Sequence, residues 1–179
     1  MMMAQETMNM KKLFEALTRI ATKLQNGSGE EAIYEILSTL GLSVGVDRTY
    51  LFDFQALEDG NLRASQRAEW VDVGQTRQIG NPELQNFDMA EAGFSDWIEK
   101  MYLGVPVVGQ VKDFPRQQQL LLADMQGIVS IIFMPIFLNG NLVGGMGFDD
   151  CSNERSWSTE EIDALRIAAS IIGAICYKP

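Results

Sequence analysis

The sequence predicts an α+β domain, an antiparallel β-sheet with helices on both faces. Three observations predict it. Asp59-Gly60 and Asn139-Gly140 each stand between strand-like runs and signal tight hairpins. Apolar residues recur at helical spacing near both ends of the chain. The resulting order is helix, helix, hairpin, long excursion, hairpin, helix, with no internal repeat and no domain boundary.

Residues 8 to 25 form the first expected helix, with Leu13, Leu17, Ile20 and Leu24 spaced four, three and four apart. Asn26-Gly27-Ser28-Gly29 breaks it. Ser28 and Glu31 read as a capping box opening a second helix, with Ile33, Ile36, Leu37 and Leu40 on one side. Gly41 to Gly45 ends that helix. A strand at Arg48–Gln55 places Tyr50, Phe52 and Phe54 on one face. Its return strand, Leu62 to Val73, is expected to place Ala64, Ala68 and Trp70 on a common face. The second hairpin joins Ile128–Leu138 to Leu142–Asp149. Its first strand is apolar on both faces, so the sheet is covered on both sides. Pro135 predicts a bulge or an unpaired site there, since proline has no N–H to donate. Gly144, Gly145 and Gly147 in the last strand mark close approach of a packed helix or, less often, a ligand.

Between the hairpins runs an excursion from Gly74 to Gln126. Phe94, Trp97, Ile98, Met101 and Tyr102 lie in it at helical spacing. A short strand at Val107–Val111 and a short helix at Arg116–Met125 follow. A connection this long that carries aromatics reads as a lid or a pocket wall. The C-terminal helix opens on the capping box Ser158-Thr159-Glu160-Glu161. It presents Ile162, Leu165, Ala168, Ala169, Ile172 and Ile175 as a core stripe. Ile167, Ile171 and Ala174 form a second strip, which needs something else to bury against, such as a partner subunit.

Composition narrows the function. The 179 residues suit one domain, placed at 10–177, with residues 1–9 expected to be frayed or disordered. Net charge is −10, from 14 basic against 24 acidic residues, and there is no basic patch. Nucleic acid and anionic membranes are therefore excluded as partners. No signal peptide and no apolar run long enough for a spanning helix are present, which predicts a cytoplasmic protein. There is no histidine. Histidine-based nucleophile activation, imidazole metal sites and histidine-ligated haem are thereby removed. Cys151 and Cys176 form no metal or redox motif.

Several segments carry a family resemblance. Val46-Asp47-Arg48-Thr49-Tyr50-Leu51-Phe52 and Glu69-Trp70 resemble the first hairpin of GAF domains from bacterial sensor histidine kinases and diguanylate cyclases. Leu103-Gly104-Val105-Pro106-Val107 and Val111-Lys112-Asp113-Phe114-Pro115 are similar to the segment that follows in that family. So are Gln126-Gly127-Ile128-Val129-Ser130, Met134-Pro135-Ile136, Asn139 to Gly144, Gly147-Phe148-Asp149 and Trp157 to Ile162. The likeness runs over roughly residues 10 to 177 and rests on these segments agreeing together. It implies a sheet of about six strands, the N- and C-terminal helices on one face, and a pocket-forming excursion on the other. It further implies a non-catalytic sensor of an unknown small molecule, or alternatively a dimerisation module whose pocket its own side chains fill, with a homodimer through the terminal helices and a kinase or cyclase output domain downstream. No such output domain is legible within the chain, and a fragment and a stand-alone regulator both remain open.

Bilin-carrying GAF domains attach their chromophore through a cysteine usually followed by histidine, and neither occurs between Gly74 and Gln126. No covalently bound cofactor, no haem and no bilin is therefore expected. A cyclic-nucleotide signature is not traceable. Free methionine sulfoxide reductases use several pocket cysteines, which Cys151 and Cys176 fit poorly.

The candidate ligand-binding residues are Trp70, Phe94, Trp97, Ile98, Met101 and Ser130, with no catalytic or metal residue among them. Trp70 is either a ligand-stacking or a core aromatic. Phe94, Trp97, Ile98 and Met101 share one helix that would roof the pocket, Trp97 being the best ligand contact and the aliphatic members reading more readily as a plain core stripe. Ser130 either reaches a ligand or satisfies neighbouring backbone. Arg67 and Glu69 read as an exposed cross-strand pair or, less readily, a polar anchor. Asp149-Asp150 reads as a turn and cap, and Cys151 as inert.

Overall fold

A computed structural model describes residues 11–12, 14–22 and 30–177. Leu13, Leu24, the 26–29 breaker, the Ser28 cap and the fraying expected of residues 1–9 all concern positions outside the described residues. Helix α1 covers residues 14–22, and α2 is Glu30–Val44. Strands β1 (Arg48–Ala56) and β2 (Leu62–Val71) form the first hairpin. The excursion contributes β3 (Phe87–Asp88), α3 (Ser95–Tyr102), β4 (Val107–Gln110) and α4 (Arg116–Gln119). A wider helical turn, Leu120–Asp124, continues α4. Strands β5 (Ser130–Leu138) and β6 (Asn141–Asp150) form the second hairpin, and α5 (Thr159–Cys176) closes the fold.

The six strands make one antiparallel sheet in the order β3-β2-β1-β6-β5-β4. The expected α+β class and strand number therefore hold. The second hairpin turns where it should: Asn139 and Gly140 have φ of 51° and 81°, the left-handed pair of a type I′ turn. The capping box is also present, with the Ser158 Oγ accepting from the Glu161 N–H and the Glu161 carboxylate accepting from the Ser158 N–H. Pro135 lies beyond the last β5 residue paired with β4 and just before a register shift at Ile136/Phe137.

Two apolar layers sandwich the sheet. On one face Leu17 and Ile20 of α1, Ile36, Leu37 and Leu40 of α2, and Leu165, Ala168 and Ile172 of α5 cover Leu51, Ile132, Met134, Met146 and Phe148. On the other face Tyr50, Phe52, Ile131 and Phe133 meet Leu84, Met89, Phe94, Trp97, Ile98 and Met101 of the excursion. Alternation along β1 and β5 assigns successive residues to opposite layers, as a period of two requires. The sheet glycines answer to rings rather than to helix backbone alone. A Cβ at Gly147 would sit 2.1 Å from the Tyr50 ring, so glycine there lets the tyrosine lie flat over β6.

The first hairpin departs from the expected alternation. Leu51 faces Ala68 but Phe52 faces Gln66, so Arg67 is an extra residue, a β-bulge. Ala64 and Gln66 therefore stay with the excursion layer, while Ala68 and Trp70 turn to the helix layer. Ala64, Ala68 and Trp70 do not share a face. Trp70 instead packs against α2, where a Cβ on Gly41 would come within 2.3 Å of its ring.

Candidate functional site

The excursion folds back over the sheet, and a partly open cavity of about 40 Å³ lies between them. Its floor is Tyr50, Phe52 and Phe54 of β1, Ala64 and Gln66 of β2, and Ile131 and Phe133 of β5. Its roof is Leu84, Phe87, Met89, Phe94, Trp97, Leu121, Leu122 and Gln126. Trp97 is the central roof residue. Its ring stands edge-on to Phe94 at 4.9 Å, lies 5.5 Å from Phe133 and 6.0 Å from Phe114. Its Nε1–H donates to the Gln118 Oε1 at 3.1 Å. Gln118 is almost fully buried, and its Nε2 donates to the Gly93 carbonyl and to Asp96. One amide thus ties α4 to α3 and fixes the indole. A metabolite pocket usually offers about 300 Å³ or more, so a ligand larger than a few atoms enters only when this roof moves.

The six candidate residues separate in space. Phe94 and Trp97 line the cavity, and Ile98 and Met101 pack in the same layer behind them. Trp70 sits on the other side of the sheet because of the Arg67 bulge. Ser130 is also elsewhere: its hydroxyl donates to the Asn153 carbonyl and accepts from the Arg155 N–H, holding the loop before α5. Gln66, Gln126 and Phe133 line the cavity without having been singled out.

Beside the cavity lies a buried charge cluster. Arg48 and Asp149, paired across β1 and β6, are 1% and 0% exposed, and their side chains approach to 3.3 Å. The Tyr50 hydroxyl donates to Asp149 Oδ1 at 2.8 Å. The Arg48 guanidinium also donates to the Thr76 carbonyl at 3.3 Å and the Gln126 carbonyl at 3.0 Å. Those two carbonyls are the two ends of the excursion, so one buried cation closes the loop at its base. Glu69, read as half of an exposed pair, is buried and accepts from the N–H groups of Gln78 and Ile79. Arg67 meanwhile reaches Asp53 and the Cys176 carbonyl and lies over the Tyr177 ring. Asp150 does cap a turn, accepting from the N–H groups of Ser152 and Asn153; Asp149 does not.

Burial pushes Asp149 up to about 7, against the pull of the Arg48 cation and the Tyr50 hydroxyl. Burial would discharge Arg48 too, but Asp149 and the surrounding acidic groups outweigh it and raise its pKa, so Arg48 stays cationic. The titration near neutrality falls on Asp149. A carboxylic acid raised on folding holds more protons in the folded than in the unfolded state between its two pKa values. Its stabilising contribution is complete below about pH 4 and is lost as pH rises through 7. The stability advantage of wild type over Asp149→Asn is expected to shrink between pH 5 and 7 by about 1 kcal/mol per pH unit, then level above pH 8. Urea unfolding of both proteins across that range measures it, and a constant difference would show that Asp149 stays ionised throughout.

Neither cysteine enters the cavity lining. Neither is in a disulfide; Cys151 follows β6, where burial pushes its pKa up to about 11, and Cys176 ends α5 against the helix layer. A thiol held that far up is a poor nucleophile at neutral pH. No group of three or more metal-ligating side chains occurs among the described residues. Nor is any described helix long and apolar enough to cross a membrane.

Among solved structures, the fold matches a phycocyanobilin-bound GAF domain from a cyanobacterial phytochrome, with TM-score 0.72 and 17% identity over 90% of this chain and 92% of that one. It also matches a far-red absorbing protein with bound biliverdin IXa, with TM-score 0.68 and 18% identity over 89% and 96% of the two chains. These neighbours overturn the expectation that bilins are excluded. An attachment cysteine is one contact among the many that hold a large ligand, and its absence does not separate this chain from a fold that carries bilins. The lining of this chain's cavity is aromatic and apolar with two glutamines.

In sequence, the chain is 43% identical over 150 residues to the methanogenesis regulatory histidine kinase FilI of Methanothrix harundinacea (strain 6Ac). That match covers 84% of this chain and 17% of the kinase. The sequence model of the GAF domain matches residues 28–175, which take in the whole sheet, α2 and all but the last residue of α5. With that model matched over 148 of the 179 residues, the chain belongs to the GAF domain family.

Proposed function

We propose that this domain is the non-catalytic sensory module of a signalling protein, taking up a small molecule under the 74–126 segment and relaying its presence through α1 and α5. One observation carries the reading. The cavity roof is anchored at both ends by Arg48 on β1, and the reverse face of that strand supports the helix layer. A ligand that lifts the Trp97 roof therefore strains the same sheet on which the terminal helices rest. Because bound and free states differ in those contacts, the ligand has a differential affinity with which to shift the helices. The kinship with a regulatory histidine kinase favours a kinase as the output. A homodimer through the helix layer supplies the geometry: Ile167 is half-exposed, Ile171 partly buried and Ala174 exposed on the outer side of α5.

The second reading is a dimerisation module whose interior is filled by its own side chains, and the small cavity volume is what favours it. A thermal-shift screen over cell metabolites, run on wild type and on Ile167→Glu and Ile171→Glu, separates the two. The sensor predicts a rise of several degrees with some metabolite in all three proteins. Both readings predict a dimer that each glutamate converts to a folded monomer in sedimentation velocity. A screen with no stabilising compound leaves the scaffold; unchanged association in both variants assigns the dimer face elsewhere.

A further inference from the structure

We infer that Gln66 is the polar anchor of the cavity, and that the ligand it selects is neutral, flat and largely apolar, with an N–H or O–H donor at its buried edge. The inference rests on the sensor reading above. Gln66 is 5% exposed, and its Oε1 is sealed from solvent with no hydrogen-bond partner among the described residues. The other polar side chains of the lining direct their donors to protein. The Tyr50 hydroxyl donates to Asp149, the Trp97 Nε1–H to Gln118, and the Gln126 Nε2 to the Leu121 carbonyl. Among the lining side chains, only Gln66 has an acceptor that is both buried and without a partner. A buried acceptor without a donor is costly, and a ligand that supplies one recovers that cost on binding.

The remainder of the lining fixes the other properties. It contains no lysine, arginine or carboxylate, so a charged ligand group would be buried without a counterion. Arg48, which ties the two ends of the excursion, is committed to Asp149 and to the Thr76 and Gln126 carbonyls. The rings of Phe52, Phe133, Phe94 and Trp97 above and below favour a planar partner. Anionic metabolites such as phosphate esters are rejected on the same grounds.

Indole and benzothiophene test this, since they share a shape and differ by one N–H donor. Their affinities are read from shifts of the Trp97 indole and backbone amide signals in the intact protein. Indole is expected to bind about tenfold tighter than benzothiophene to wild type, the worth of one buried hydrogen bond. In Gln66→Leu and in Gln66→Met the ratio falls to about one, with benzothiophene binding kept. Indole-3-carboxylate is expected to bind more weakly than either. Equal binding of the two bicycles to wild type, or a ratio unchanged by both substitutions, overturns the role of Gln66 while leaving the cavity reading intact. Failure of both to bind removes the cavity reading and this inference with it.

Discussion

Arg48→Met is expected to cost about 3–5 kcal/mol of unfolding free energy, the usual result of stripping one partner from a buried ion pair. The methionine roughly keeps the aliphatic stem and its packing, so the loss reports the charge and its hydrogen bonds. Asp149 would be left fully buried with no cation, and its carboxyl would stay protonated to higher pH than in wild type. The Thr76 and Gln126 carbonyls lose their donor at the same time. Two consequences follow that a general loss of packing would not give. Amide exchange should accelerate first at 76–79 and 126–128, the two ends of the excursion, before the sheet opens. Adding Asp149→Leu should return part of the loss, because a buried pair replaced whole by apolar groups is often near neutral. Urea unfolding of the single and double variants measures both. A single-variant loss under 1 kcal/mol would mean that the base of the excursion is held without this cluster.

The pattern of what was legible in the sequence has a physical origin. Local rules sufficed wherever the structure is decided locally: the Asn139-Gly140 turn, the Ser158–Glu161 cap and the alternation of Tyr50, Phe52 and Phe54 all needed only near neighbours. Trp70 went to the wrong face because one inserted residue, Arg67, reverses the period of two, and nothing in Ser65-Gln66-Arg67 announces a bulge. The two-residue strand β3 is too short to show any period at all. Arg48 and Asp149 are 101 residues apart in sequence and meet only through strand pairing, so each alone looks like a surface charge. Gln66 did leave a signal: it shares parity with Ala64, a polar amide where the layer is otherwise apolar. Ser130 is the converse case, a lone polar residue whose partners turn out to be backbone.

Trp97→Ala carries the other large effect, an expected loss of about 3–5 kcal/mol. The indole contributes three ring contacts and the donor that satisfies Gln118, so its removal opens the cavity and orphans a buried amide oxygen together. The consequence for function differs from that of Arg48→Met. Removing Arg48 loosens the roof at its base; removing Trp97 enlarges the space beneath a roof whose base is still tied. The variant is therefore expected to take up flat apolar molecules more readily than wild type, since they no longer have to displace the ring. Ligand at a hundredfold its Kd would restore about 2.7 kcal/mol, visible as a rise in the urea midpoint with added indole. Trp97→Phe, which keeps ring packing but removes the donor to Gln118, should fall between wild type and Trp97→Ala, with a loss of about 1–2 kcal/mol. If Trp97→Ala instead loses less than 1 kcal/mol and gains no uptake of indole, the excursion is held to the sheet by its aliphatic contacts, and Trp97 is not the residue that closes the hollow.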